Sequence, residues 1–239
     1  MPRRPIGILV TGDPVAATLE RVGGFAALVR AGLSGAWEFG FEEVDARSAG
    51  ALPEAERFSA IIVTGSASSV TERAGWMLRA EEYLARVVES EQPVLGICFG
   101  HQLMGQALGG LVERNPNGRE MGTVPVQLLE EDLLLYQGAT PTLAHTTHVD
   151  SVTLLPEGAR VLARTELEPN AAVRFGPRAW GVQFHPEFDV EVMREYVQAR
   201  RGLLAEEGRD PDAVAAGIQE APTGGLVLRR FVEHGVLTR

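Results

Sequence analysis

The sequence predicts an α/β fold: a mixed, mostly parallel sheet with helices on both faces and a smaller antiparallel sheet. Three observations carry this. Short apolar runs ending in turn residues alternate with amphipathic segments through the first hundred residues, the rhythm of a parallel sheet with crossover helices. After Gly109-Gly110 the texture changes to short strand candidates separated by turns, which favours antiparallel pairing. The 239 residues, 45% hydrophobic and 23% charged, suffice for one α/β domain or at most two small ones.

Ile6 to Val10 is a short apolar run closed by Thr11-Gly12-Asp13, the pattern of a buried strand. Pro14 to Val29 has helical spacing, interrupted by Gly23-Gly24. Trp37 to Val44 alternates aromatic or apolar residues with acids over part of its length, as a strand near an edge does. Phe58 to Val63 is a second buried run, stopped by Thr64-Gly65-Ser66. Trp76 to Val88 is an amphipathic helix. Pro93 to Ile97 is a third apolar run that feeds directly into Cys98, with a helix from His101 to Leu108 behind it. Strand candidates follow at Leu111 to Glu113, Thr123 to Leu129, Ser151 to Leu155, Arg160 to Arg164, Ala171 to Phe175 and Trp180 to Phe184. Pro156-Glu157-Gly158 and Gly176-Pro177 are turn centres. Val190 to Ala205 returns to a helical pattern, and Asp210 to Arg239 reads as one or two helices broken by Pro222-Thr223-Gly224-Gly225.

Acids outnumber bases 32 to 22, a net charge of −10, and every base is arginine. That balance argues against nucleic acid or an anionic membrane as the main partner. No run approaches the roughly 20 apolar residues of a membrane span. The basic start, Met1-Pro2-Arg3-Arg4-Pro5, precedes too short an apolar stretch for a signal peptide. The expectation is a soluble, cytoplasmic protein with no metal and no cofactor. Its one cysteine, Cys98, can close no internal disulfide and build no cysteine-cluster metal site. A lone cysteine is a buried filler or a reactive thiol, and its neighbours decide.

Those neighbours are Gly96-Ile97-Cys98-Phe99-Gly100, a G-x-C-x-G pattern where a predicted strand meets a predicted helix. This is the context of a nucleophile elbow. The glycines permit a sharp turn, and a helix N-terminus favours thiolate. A structural glycine turn has the same signature, so the pattern needs a base elsewhere. Of five histidines, His101 lies on the adjacent helix start and should point away. His145 and His148 fall in a predicted loop, and His234 lies in the tail. His185 follows a predicted strand in His185-Pro186-Glu187, and in extended backbone the i+2 carboxylate projects to the same side. A carboxylate beside an imidazole fixes its tautomer and stabilises its cation.

Gly96-Ile97-Cys98-Phe99-Gly100-His101-Gln102 and His185-Pro186-Glu187 resemble the G-x-C-x-G-x-Q and H-P-E motifs of the class I glutamine amidotransferase family. Thr147-His148-Val149-Asp150-Ser151-Val152, followed by Leu155-Pro156-Glu157-Gly158, is similar to a stretch of the glutaminase domains of GMP synthases. There Thr147 replaces serine and Val149 replaces glycine. The family's S-G-G-P loop reads Thr64-Gly65-Ser66-Ala67 here; a glycine-only backbone shape would be strained by Ser66. The resemblance implies a flavodoxin-like domain over residues 1–200, with 201–239 as a helical extension of the same domain.

The resemblance further implies Cys98 as nucleophile, His185 as base and Glu187 as its orienting acid. It implies an oxyanion hole of the Ser66 and Phe99 backbone N–H groups, and Gln102, Thr147 and His148 as substrate contacts. The implied reaction is hydrolysis of the glutamine side-chain amide, with ammonia passed to an acceptor, with or without a synthetase partner. A gamma-glutamyl peptidase or hydrolase would use the same residues on another leaving group. A non-catalytic regulatory module and a thiol redox sensor are the readings outside amide hydrolysis; no second cysteine is present to resolve a sulfenic acid.

Overall fold

Apolar runs of four or five residues become buried strands, and the segments between them become the covering helices. The computed structural model describes residues 4–136, 138, 142–222 and 224–237. The basic start at Met1 to Arg3, Thr223 of the expected helix break, and the last two residues of the expected tail lie outside the described residues. In chain order the elements are β1 (Ile6–Val10), α1 (Ala16–Val22), α2 (Phe25–Gly32), β2 (Phe41–Asp45), β3 (Ala60–Val63), α3 (Gly75–Glu89), β4 (Val94–Ile97) and α4 (Phe99–Ala107). Then come β5 (Leu111–Arg114), β6 (Glu120–Pro125), β7 (Gln127–Leu128), β8 (Leu143–His148), β9 (Asp150–Leu154), β10 (Arg160–Arg164), β11 (Ala172–Gly176) and β12 (Ala179–Val182). The chain closes with α5 (Val190–Ala199), α6 (Arg201–Glu206), α7 (Pro211–Ala216), α8 (Leu226–Arg230) and a π-helical turn, Phe231–Val236.

The central sheet has eight strands in the order β2-β1-β3-β4-β12-β11-β10-β7. It is parallel from β2 to β12 and antiparallel beyond. Two antiparallel ribbons, β5-β9 and β6-β8, stand apart from it. Strand periodicity sends alternate side chains to opposite faces. Ile8, Ile62 and Leu95 pack with Val29 of α2 and Leu228 of α8 on one face. Leu9, Ile61 and Val94 pack with Leu84 of α3 and Leu103 of α4 on the other. The mixed, mostly parallel α/β architecture is as expected.

Four local expectations are corrected. The single helix over Pro14 to Val29 is two, divided at Gly23, whose φ of 91° ends the first. Thr123 to Leu129 is not one strand. Beyond Pro125 the Val126 N–H still donates to the Thr142 carbonyl at 3.1 Å, and the chain then leaves the β6-β8 ribbon to join the edge of the main sheet as β7, where Leu128 pairs with Ala163. Val190 to Ala205 breaks at Arg200, with φ −112° and ψ 14°. The loop expected around His145 and His148 is strand β8, whose buried positions carry histidine and threonine in place of the apolar residues that announce a strand.

The Cys98 turn depends on two glycines. A Cβ on Gly96 would lie 2.5 Å from the Gly100 carbonyl oxygen, and one on Gly100 would lie 2.5 Å from the Val63 carbonyl oxygen. Both obstacles are backbone, so neither yields by a side-chain rotation. We expect Gly100→Ala to lower unfolding stability by about 1–3 kcal/mol or more, as overpacking does. Gly202→Ala, where nothing lies within 4 Å of the added carbon, should be neutral or slightly stabilising. Urea unfolding midpoints of the two variants check this, and equal midpoints would remove the steric reading of the turn.

Candidate active site

Adjacent parallel strands release their next residues at the same edge of a sheet, and ligands collect there. Here β3, β4 and β12 are neighbours, and their carboxyl ends deliver Thr64-Gly65-Ser66, Cys98 and Gln183-Phe184-His185 to one place. The register pairs Ile97 with Val182, and the Cys98 N–H donates to the Val182 carbonyl at 2.8 Å. Cys98 itself has φ 51° and ψ −103°, a conformation that L-residues rarely adopt, and it is the N-cap of α4. The turn thus places Cys98 at the N-terminus of α4, where backbone dipoles favour thiolate.

His185 Nδ1 and Glu187 Oε1 are 2.8 Å apart, with both side chains buried. The imidazole stacks on Phe188, ring centroids 4.0 Å apart, and Phe25 lies beside both rings at 6.3 and 6.4 Å. Its backbone N–H donates to the His145 carbonyl at 2.8 Å, which fastens β8 to the site. Gln183 Nε2 donates to Cys98 Sγ at 3.5 Å, and Gln183 Oε1 accepts from Gln102 Nε2 at 3.0 Å. Burial pushes the Cys98 thiol up, but the charge and hydrogen bond of His185 together with the charge of His148 outweigh it and hold the thiol below its ordinary range. Burial likewise opposes a charged His185, yet the Glu187 carboxylate and the Cys98 sulfur raise it to about 10. The pair therefore favours thiolate and imidazolium.

Residues 28–201 match the family described as "Glutamine amidotransferase class-I". The chain belongs to the class I glutamine amidotransferases. It is 40% identical over 147 residues to a glutamine-hydrolyzing GMP synthase of Aeropyrum pernix, covering 61% of this chain and 28% of that one. It is 36% identical over 149 residues to one subunit of a glutamine-hydrolyzing GMP synthase of Sulfurisphaera tokodaii, 59% of this chain and 77% of that one. Against a GMP synthase of Streptomyces avermitilis, 30% identity extends over 78% of this chain and 42% of the relative. The chain thus spans less than half the length of the Aeropyrum and Streptomyces relatives. A crystal structure of a glutamine amidotransferase from Thermotoga maritima shares the fold, with a TM-score of 0.78 at 20% identity over 98% of this chain and 99% of that one.

In this class I amidotransferase the remaining expected residues divide. Ser66, Phe99, Gln102, Thr147 and His148 all border the space beside Cys98, which consists of two lobes of about 80 and 60 Å³. The Ser66 and Phe99 N–H groups donate to no acceptor among the described residues. The expected strain at Ser66 is absent: the described non-glycine residues with positive φ are Arg73, Glu91 and Cys98. Gly12 makes room for Ser66 instead, since a Cβ there would meet Ser66 Oγ at 2.6 Å. The Gln102 amide is committed to the Asp150 carbonyl (2.8 Å) as well as Gln183. The His148 ring is enclosed, with Nε2 3.4 Å from Glu120 and Nδ1 3.0 Å from the Asp150 carbonyl. Burial opposes its charge, but the Glu120 hydrogen bond and the charges of Glu168, Cys98 and Glu120 together outweigh this and raise it above the ordinary value.

His101 points away as expected. It is buried against Phe175, and burial lowers it to about 3. Sequence reasoning missed Gln183, which sits between two residues it had singled out. It also missed Arg200, which marks the break between α5 and α6 and lines both lobes. A larger cavity of about 500 Å³, beside Glu54, Glu56, Tyr83 and Arg86, lies where β3 and β4 begin and so at the other end of the sheet from Cys98. Among the described residues no helix is long and apolar enough to cross a membrane.

The electrostatics fix the sign of a pH experiment. Alkylation of Cys98 by iodoacetamide should persist below the pH range of an ordinary thiol, because only thiolate reacts. His185→Ala removes the compensating cation and leaves the burial, so the midpoint should move above the ordinary thiol value. A rate–pH profile with the same midpoint in both proteins would show that His185 does not set the thiolate.

Proposed function

We propose that the chain hydrolyses the side-chain amide of glutamine through a thioester on Cys98 and releases ammonia for a synthetase partner. The observation that carries this reading is the convergence of a left-handed Cys98 turn with the His185–Glu187 pair. The thiolate attacks the amide carbon. The developing oxyanion lies toward the unengaged Ser66 and Phe99 N–H groups, the kind of donor pair that contributes roughly 3–4 kcal/mol to such a step. His185, protonated, gives its proton to the departing amine as the C–N bond breaks, while Glu187 holds the ring. Water then adds to the thioester with its proton passing to His185, and the S–C bond breaks to give glutamate. The sum is glutamine plus water to glutamate plus ammonia.

Thr147 and Gln102 border the lobe that receives the amino-acid end of the substrate; the enclosed His148 ring supports that wall from behind. The partner is inferred from the relatives. The Sulfurisphaera relative is named as one subunit of its synthase, and others carry far more chain than the matched part. A separate synthetase that consumes the ammonia fits both.

Cys98→Ala should reduce ammonia release from glutamine by roughly a thousandfold or more, as removal of a nucleophile does. Glu187→Gln should lower kcat with less effect on KM, because it disturbs the imidazolium and not the substrate pocket. Acid-quenched wild-type protein should carry a glutamyl mass adduct on Cys98. Ammonia release that survives Cys98→Ala would end this reading.

A further inference from the structure

Arg200 is the anomaly of the site. Acids outnumber bases in this chain, and arginines elsewhere that lose solvent are met by carboxylate or carbonyl oxygens: Arg119 by Glu207, Arg174 by Asp132, Arg209 by the Arg119 carbonyl and Arg230 by the Leu133 carbonyl. Arg200 is half-buried and has no ion-pair partner among the described residues. Its guanidinium lies 5.4 Å over the Tyr196 ring and donates from Nη1 to Thr147 Oγ1 at 3.2 Å. A guanidinium has five donors in a fixed fork, suited to two parallel bonds with a carboxylate. Here most of that fork is uncommitted. Taking such a group out of water is unfavourable, and burial lowers Arg200 from its ordinary value, an effect that Tyr196 and the Cys98 sulfur oppose without cancelling.

The cavity supplies the place for the missing anion. Arg200 lines both lobes beside Cys98. The lobe with His185 also has the apolar walls Val15, Phe25 and Tyr196. The other has Gln102, Asp150 and a second cation, Arg119. The proton donor for a departing amine is in the first lobe, so the departing group belongs there. The second lobe, where the Arg119 guanidinium is already held by Glu207 and that of Arg200 is not paired, is left for the charged end of the substrate.

We propose that Arg200 is a specificity-determining residue that takes the α-carboxylate of the glutamyl group, with Thr147 positioning the fork. This deepens the amide-hydrolysis reading and rests on it for the identity of the substrate. The guanidinium then selects amides that carry a carboxylate over neutral amides of the same length, and it draws the substrate in without touching the reacting atoms.

The test uses alkylation, which needs a reactive thiol but no turnover. The probes are a chloroketone with the glutamine skeleton and its α-methyl ester; the thiolate displaces chloride and a thioether forms. The ratio of the acid rate to the ester rate cancels any difference in thiolate content between variants. Wild type should favour the acid by on the order of tenfold or more, the scale of a charge-assisted pair. Arg200→Gln should bring the ratio near one. Arg200→Met keeps an unbranched stem against Tyr196 should the first variant not fold, and should do the same. A wild-type ratio near one, or a preference for the acid that survives either substitution, overturns the assignment. Loss of glutamine hydrolysis as the function would leave this ratio measurable, so the two failures are distinguishable.

Discussion

The backbone at Cys98 is the constraint on which the site rests. A non-glycine residue at φ 51° and ψ −103° is held against its own preference, at a cost of about 1–3 kcal/mol. The surroundings over-determine it. The Cys98 N–H is bound to Val182, the Gly100 N–H to the Thr64 carbonyl at 3.2 Å, and the Gln102 N–H to the Cys98 carbonyl at 3.1 Å. Three alternate positions are thus fixed to two different neighbouring strands and to the helix itself. With the side chains of Gly96 and Gly100 reduced to hydrogen, α4 can begin against β3 with no intervening residue. A turn tied on every side cannot relax without breaking the centre of the sheet.

The charges follow from that placement. Once the thiol is enclosed, its ionisation needs a neighbouring cation, and an enclosed cation needs an anion. Cys98, His185 and Glu187 satisfy this in sequence, each compensating the next. The same logic recurs one layer behind, where His148 is raised by Glu120 and Glu168 and its charge in turn helps to lower Cys98. Burial raises Glu168, whose Oε1 is held by Ser151 Oγ at 2.8 Å. Two imidazoles thus bear on one sulfur from different sides, and the ribbon strands β6 and β8 belong to the electrostatics of the thiol as much as to the wall of the pocket.

What the sequence made legible was local. The elbow was readable because two glycines flank the cysteine in a strand-to-helix context, and His185–Glu187 because the pair is separated by two in extended backbone. The parallel strands were readable because burial on both faces requires uninterrupted apolar runs. Strand β8 was not. Its buried positions carry His145, Thr146, Thr147 and His148, residues suited to hydrogen bonding around the site, so its composition resembled a loop. Gln183 was hidden for a similar reason: it is polar within an apolar run, and only the register of β4 with β12 brings it to Cys98 Sγ. Arg200 was hidden by its surroundings in sequence, one arginine beside another at Arg201 on an apparently continuous helix.

That hidden arginine ties the C-terminal helices to the Cys98 end of the sheet. Phe188, Val192, Met193 and Tyr196 pack with Phe25 of α2 and Met121 of β6 as one cluster. The cluster holds the His185 ring on one side and carries Arg200 at its upper edge. Arg201 turns the other way, to Asp212 of α7 at 2.8 Å. The break between α5 and α6 is what separates the two: in a continuous helix adjacent residues diverge by about 100°, but only a local departure from helical backbone lets the first reach Thr147 while the second ties down the following helix. A substitution that restored regular helix across Arg200 would therefore act on the pocket and on the packing of α7 at once.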